Sequence, residues 1–234
     1  MITMSASRKT AAMQKRSTPE LGLSQPQSRV QTRHDRRKAR TRAQIVDAAN
    51  QLFAERGYLE TSVEDISELA DVAVRTVYTH FPSKAAILLD YFDRWLDALI
   101  EGLLAQPVEL PIAEALTEAL ARMKSDGWVD RSYDNIAGSP PSALGLIAGP
   151  PEVAGYMMHS WSEAQARLVT DAFDRGHYSA GSLEPQARAT AVFAACMAPM
   201  FTARLSLDGE PLPRGATANG LIGEFVFRLT RGRL

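Results

Sequence analysis

The feature that most constrains the fold is a pair of short apolar patterns with helical spacing between positions 62 and 81. In chain order they are Val63, Ile66 and Leu69, then Val74, Val77 and Phe81. Apolar residues that recur every three or four positions share one face of an α-helix. The spacing predicts two short helices joined by the three residues 71–73, which are the dimensions of a helix-turn-helix.

Helical periodicity continues on both sides of this motif. Before it, an apolar face ends ahead of Gly57, a residue that readily closes a helix in the left-handed conformation. After it, Ser83 can cap a helix with a broad apolar stripe over residues 87–103. We predict a capping box at residues 61–64, where Thr61 and Glu64 open the first helix of the motif. The apolar face before Gly57 consists of Ile45, Ala48, Ala49, Leu52 and Phe53.

Apolar spacing and helix-breaking residues predict further helices along the rest of the chain. They cover residues 112 to about 127, 151 to about 176, 185 to about 207, and 221–229, with a short helix starting at 139–141. No stretch alternates apolar and polar residues as a half-buried strand does. The predicted fold class is all-α.

Charge is divided unevenly, although the net charge is only −1. Residues 1–42 carry 11 basic side chains against Glu20 and Asp35, a net of +9, and the remainder carries 15 basic against 25 acidic side chains, a net of −10. Residues 1–38 lack apolar periodicity over most of their length, so we predict a disordered basic arm. Two interpretations stay open: a solvated tail, or a segment from Arg33 to Arg42 that follows DNA into the adjacent minor groove.

Several classes of protein are disfavoured. Cys196 has no disulfide partner and forms no zinc-ligand spacing with the histidines, so we expect neither a metal nor a cofactor. No nucleophile motif or phosphate loop is present, so we expect no enzyme and no catalytic residues. Residues 190–207 are too short and polar to span a membrane and predict a buried helix. No export signal follows the basic start, so we expect a cytoplasmic protein.

The second helix of the motif is expected to read base edges. With its apolar residues inward, it turns outward Arg75, Thr76, Thr79 and His80. Arg75 suits a bidentate contact with guanine, while Thr76 and Thr79 suit a base edge or a thymine methyl group. These side chains are the predicted source of sequence specificity.

Other side chains are expected to hold the DNA backbone. Tyr78, His80 and Lys84 are assigned to phosphates, and the amides of Thr61 and Ser62 are expected to point toward the backbone where a helix opens. An alternative for Tyr78 is a ring packed in the core with only its hydroxyl exposed. For His80 the alternative is a helix cap, or a phosphate contact without pH sensing.

Residues 37–88 resemble the DNA-binding domain of TetR-like transcriptional regulators. Residues 76–84, Thr-Val-Tyr-Thr-His-Phe-Pro-Ser-Lys, are similar to that family's Thr-x-Tyr-x-His-Phe-x-x-Lys signature, and Thr61, Ile66 and Ala70 fall in register. The chain departs from the family at two positions, with Asp71 where glycine is frequent and Ala73 where a serine cap is frequent. Aspartate tolerates left-handed backbone, and a lost cap costs about 1 kcal/mol.

The resemblance implies a symmetric dimer and an effector that weakens DNA binding. It places a helix-turn-helix DNA-binding domain at residues 39–99 and a larger helical effector-binding and dimerisation domain at 100–234. We expect the dimer interface on the helices at 191–207 and 221–229, with ordinary core packing as the alternative. Apolar side chains with a few polar anchors suggest an effector pocket formed by Trp95, Trp128, Tyr133, Met158, His159 and Trp161.

The predicted function is sequence-specific binding of double-stranded DNA by a repressor that a small molecule releases from a palindromic operator. A homodimer suits this role because two recognition helices about 34 Å apart can read successive turns of a palindrome. An activator, or a protein-interaction adaptor built on the same module, remains an alternative. No membrane partner is expected.

Overall fold

The computed structural model describes residues 32–128, 150–176 and 178–207, and within them the fold is all-α, as predicted. The described residues form eight helices. Their bounds are α1 Arg33–Arg56, α2 Val63–Leu69, α3 Val74–His80, α4 Lys84–Leu88, α5 Asp90–Leu104, α6 Ile112–Ser125, α7 Pro151–Arg175 and α8 Glu184–Leu207. The predictions at 139–141 and 221–229 lie outside the described residues.

Helix α1 begins earlier than its apolar pattern indicates. Thr32 and Asp35 form a capping box in which each side chain accepts a hydrogen bond from the other residue's amide, both at 3.1 Å. Residues 33–38, predicted as part of a disordered arm, are therefore helical. Periodicity missed this start because no apolar residue of the first three turns contacts the core. The helix is closed by Gly57, whose positive φ of 88° suits glycine, but its ψ of 165° is extended, so the residue does not adopt the predicted left-handed helical conformation.

Helices α2 and α3 form the predicted helix-turn-helix. The capping box of α2 lies one residue later than predicted: Ser62 and Asp65 make it, since the Asp65 amide donates to Ser62 Oγ at 3.0 Å. Asp71 adopts a left-handed φ of 53°, as an aspartate can, and Ala73 makes no side-chain cap on α3. Leu69, predicted on the inner face, is 45% exposed.

A single helix predicted after Ser83 is interrupted at Leu89, so that α4 and α5 are separate. No glycine or proline marks the break in the sequence. Asp90 becomes the first residue of α5, where a carboxylate suits the positive end of the helix dipole. Local helix-breaking residues therefore gave no signal for this break.

The body is built from α5, α6, α7 and α8. Gly102 of α5 allows a close approach of α6, because a Cβ placed there would lie 3.1 Å from the Cβ of Ala119. Trp161 of α7 is 1% exposed and packs against α8 through Phe193, with ring centroids 5.4 Å apart. Cys196 is buried, and desolvation raises its pKa to about 12, so its thiol is inert at neutral pH.

Within residues 32–128, 150–176 and 178–207, no helix is both long and apolar enough to cross a membrane.

Candidate nucleic-acid interface

The outward face of α3 carries the residues predicted to read DNA. Val77 and Phe81 are 1% exposed and fix the helix to the core, while Arg75 and Thr79 are exposed. Tyr78 is 53% exposed, so the alternative of a ring packed in the core is wrong. The face is therefore polar and aromatic, and it is free to enter a groove.

Two threonines of α3 differ in their accessibility. Thr76 is half-buried, whereas Thr79 is exposed. The hydroxyl of Thr79 donates to the Arg75 carbonyl at 2.9 Å, one turn back in the same helix. Its proton is thus used within the helix, and the side chain offers a methyl group and an acceptor oxygen outward. A thymine methyl group or an exocyclic amine suits that surface.

His80 ends α3 in a half-buried position. Desolvation lowers its pKa, and the positive charges of Lys38 and Arg42 lower it further. In the free protein these effects favour the neutral imidazole. Among the residues that the structure describes, its buried Nδ1 has no hydrogen-bond partner.

Arg42 fastens α1 to the end of α3 and to the start of α5. Its Nη1 donates to the His80 carbonyl at 2.9 Å, its Nε donates to Asp90 Oδ1 at 2.8 Å, and its guanidinium lies 4.1 Å from the Phe81 ring centroid. Asp90, which the sequence analysis missed, also accepts from Arg94 at 3.0 Å. Arg42 was predicted to contact DNA; its side chain is directed onto the protein, and that role stays a prediction.

Lys84 fastens α4 to the loop between α1 and α2. Its Nζ donates to the carbonyls of Tyr58 and Thr61, both at 2.8 Å, and lies 4.2 Å from the Tyr58 ring centroid. These contacts hold the loop that leads into the helix-turn-helix. The phosphate role predicted for Lys84 would require the ammonium group to share or exchange these carbonyls.

The amides of Thr61 and Ser62 already have acceptors within the chain. The Thr61 amide donates to the Tyr58 carbonyl at 3.4 Å, and the Ser62 amide donates to Asp65 Oδ2 at 2.9 Å. The Thr61 side chain is also turned inward, since it is 1% exposed and donates to the Gly57 carbonyl at 2.8 Å. In this conformation neither amide is free for a phosphate, so their predicted contact with the DNA backbone lacks structural support.

A polar junction joins α5 to α7. Tyr156 Oη donates to Asp93 Oδ2 at 2.7 Å, and Ser160 Oγ donates to Asp93 Oδ1 at 3.0 Å. Desolvation raises the pKa of Asp93, the two hydroxyl donors oppose that shift, and the nearby carboxylates of Asp97 and Asp90 add to it. The sequence offered no sign of this junction, because its residues lie on helices far apart in the chain.

We expect the Asp93 carboxyl to destabilise the fold as pH rises. The pKa of Asp93 is higher in the folded than in the unfolded chain. Its contribution to the free energy of unfolding is therefore complete below the ordinary aspartate pKa and is lost as pH rises through the raised pKa. Urea unfolding from about pH 3 to 7 should give a free-energy difference between wild type and Asp93→Asn that falls with pH. A difference that rises would show that the Tyr156 and Ser160 hydrogen bonds outweigh desolvation.

The predicted effector residues do not share one cavity. Trp95 and Trp161 pack together, with ring centroids 6.4 Å apart, whereas Met158 is 50% exposed and the His159 side chain is 68% exposed beside Glu163. Trp128 lines a separate cavity of about 370 Å³ at the α5–α6 contact, and Tyr133 lies outside the described residues. Neighbouring residues of α7 point in different directions because successive side chains turn by 100° around a helix.

Comparison with known proteins identifies the family. Residues 45–91, which contain α2 and α3, match the family model described as bacterial regulatory proteins, tetR family. The chain is 36% identical over 143 residues to the putative mycofactocin biosynthesis transcriptional regulator MftR of Mycobacterium tuberculosis, covering 59% of this chain and 69% of MftR. The chain belongs to the TetR family of bacterial regulatory proteins.

Other transcriptional regulators are also similar to this chain. The HTH-type transcriptional regulator TcmR of Streptomyces glaucescens is 34% identical over 139 residues, covering 57% of this chain and 59% of TcmR. The crystal structure of Thermus thermophilus FadR, a TetR-family repressor in complex with lauroyl-CoA, covers 82% of this chain at 20% identity with a TM-score of 0.47. As a TetR-family member, the chain is a transcriptional regulator with a DNA-binding helix-turn-helix, which confirms the resemblance.

Proposed function

We propose that this TetR-family regulator is a homodimer that places α3 in the major groove of a palindromic operator and represses transcription until a small-molecule effector releases it. The observation that carries the proposal is the outward face of α3. Arg75, Tyr78 and Thr79 are exposed there, while buried Val77 and Phe81 hold the helix in place. A short helix with a rigid base and an outward arginine suits base readout.

In this proposal, residues 39–99 form the DNA-binding domain, and residues 100–234 form the domain for effector binding and dimerisation. Helix α5 crosses this boundary, and its Asp93 is hydrogen-bonded to Tyr156 and Ser160 of α7. A movement of α7 on effector binding would therefore be transmitted to α5, and through Asp90 and Arg42 to the end of α3. These contacts support the proposed release of operator by effector.

Dimerisation is proposed through α8 and residues 221–229, the latter outside the described residues. Along α8, Ala189 and Val192 are buried in the chain's own core. Thr190 and Ala194 lie on the other side, small and exposed, where a second copy could approach closely. Sedimentation of the purified protein should give twice the chain mass, and a monomer at binding concentrations would contradict this part of the proposal.

Arg75→Ala should weaken operator binding by about 1–3 kcal/mol per half-site, because it removes a bidentate contact with a base from each subunit of the dimer. Binding to random duplex should change much less, so the ratio of specific to random affinity should fall. The measurement is titration of the purified full chain against a labelled duplex from its own upstream region, with random duplex as competitor. If that region holds no site, genomic fragments selected by the protein replace it.

The matched control is Arg122→Ala, which removes an exposed arginine from α6 in the body. It should leave both affinities unchanged. An equal specificity ratio in wild type and Arg75→Ala would remove Arg75 from base readout. A wild-type chain with no preference for any genomic fragment over random duplex would refute the proposed function.

A further inference from the structure

The first two turns of α1 form a helix that leaves the core. Every residue from Arg33 to Arg40 is exposed, and the first buried residue of α1 is Ile45. A helix segment without packing is marginal by itself, so its capping box at Thr32 and Asp35 matters. We call residues 33–40 the cationic extension, because five of them are Arg33, Arg36, Arg37, Lys38 and Arg40.

The charges of the cationic extension are dense and largely uncompensated. Its four arginines recur at i, i+3, i+4 and i+7 and therefore share one face, with Lys38 on another side. Pairs four residues apart, such as Arg33 with Arg37, repel each other and oppose helix formation in the free protein. Asp35 is the extension's one carboxylate, and it is used in the capping box. A row of anionic groups would remove the repulsion.

The position of the cationic extension favours DNA as the polyanion. It continues directly into Arg42, whose Nη1 is hydrogen-bonded to the carbonyl of His80 at the end of the proposed recognition helix α3. The charges therefore begin within one helical turn of a residue that contacts α3. A duplex that receives α3 in its major groove would place flanking phosphates near this end of α1.

The helical state of residues 33–40 argues against the minor-groove route that the sequence suggested. An α-helix with side chains is about 10–12 Å across, whereas the minor groove of B-DNA is about 6 Å wide. A flexible arm can enter that groove, but the helix at residues 33–40 cannot. Arginines displayed on a helix can instead reach the phosphates along its rim.

We propose that the cationic extension is a second DNA-binding element, one that contacts phosphates flanking the operator without reading base sequence. This inference rests on the proposed function for the operator itself, but phosphate contacts also act on random duplex. The extension strengthens binding to any duplex, and α3 supplies the preference for the operator sequence. The extension spans about 12 Å, enough for roughly two or three phosphates of one strand.

The test compares two double substitutions in the full-length protein, R36Q/R37Q in the extension and R122Q/K124Q in α6. Each removes two exposed positive charges, and glutamine keeps helix propensity. For R36Q/R37Q, affinity for both operator and random duplex should fall about five- to thirtyfold for each subunit of the dimer that engages the duplex at ~0.15 M salt, and the slope of log affinity against log salt should shrink by roughly 1 to 2 per subunit. The α6 pair should change neither quantity.

A proline variant tests whether the helix itself matters. Ala39→Pro keeps every charge of the extension but breaks its helix six residues before Ile45 enters the core. It should weaken duplex binding by a factor similar to that of R36Q/R37Q, with an unchanged circular dichroism melting temperature. Unchanged affinity would show that a flexible arm suffices and would overturn the helical proposal.

The remaining outcomes separate this inference from its rivals. Unchanged affinity and salt slope in R36Q/R37Q would refute it even if α3 binds the operator specifically. Suppose that the wild type binds operator no better than random duplex, while R36Q/R37Q still weakens random-duplex binding and its salt dependence. That outcome would refute the proposed function and leave this inference standing. If replacing A·T pairs by G·C pairs in the operator flanks weakened wild-type binding, the extension would read the minor groove, and the proposed phosphate contact would be wrong. If R36Q/R37Q lost binding to anionic lipid vesicles but kept wild-type affinity for duplex, the partner of the extension would be a membrane surface and the proposal would be wrong.

Discussion

Replacing Trp161 with alanine should lower the free energy of unfolding by about 3–5 kcal/mol, because it empties the centre of the body. The side chain is 1% exposed and joins three helices, with ring centroids 6.2 Å from Phe92 on α5 and 5.4 Å from Phe193 on α8. Since domains are stable by only about 5–15 kcal/mol, operator binding should weaken as well. Urea unfolding followed by circular dichroism, at one protein concentration, measures the change.

The matched control is Met158→Ala, three residues away on the same helix but 50% exposed. It should cost less than about 1 kcal/mol, as exposed substitutions usually do. Trp161→Phe should lie between the two variants, since it keeps an aromatic ring and, among the described residues, the indole Nε1 has no acceptor to lose. Equal costs for Trp161→Ala and Met158→Ala would mean that the aromatic cluster is not the core of the body.

Arg42→Met should destabilise the fold by about 2–3 kcal/mol and also weaken operator binding. Removing one partner of a buried ion pair costs about 3–5 kcal/mol, and the expected loss here is smaller because Arg94 still pairs with Asp90. The Asp90 side chain is 6% exposed and would lose its closest cation. The His80 carbonyl would lose its donor too, which frees the end of α3. Urea unfolding and duplex titration measure the two effects.

Two further variants make this prediction specific. Arg167→Met breaks an ion pair of similar length, 2.7 Å to Asp97, but that carboxylate is 63% exposed, so the cost should stay below about 1 kcal/mol. The double variant R42M/D90L should be more stable than R42M alone, because it leaves no buried carboxylate whose ion pair is reduced to the exposed Arg94. If R42M and R167M lowered the free energy of unfolding by the same amount, the Arg42–Asp90 contact would not be what holds α1 against the start of α5.

The helices were largely predictable because the signals for them are local. Spacing at three and four residues placed α1 to α3 and α6, and prolines marked the starts of α7 and α8. Two helix boundaries were not predicted, for a physical reason. The start of α1 depends on a capping box without apolar residues, and the break at Leu89 carries no glycine or proline.

The all-α fold, the helix-turn-helix and the outward face of α3 could be predicted from local spacing, since the periodicity of one short helix fixes which side chains turn away from the core. Which cations have partners within the protein depends on long-range packing, which local spacing does not show. Arg42 contacts Asp90 across 48 residues of sequence and Lys84 contacts Tyr58 across 26, so both cations have partners within the protein and their contacts with DNA stay predictions. The cationic extension stayed exposed because no other part of the described fold packs against it.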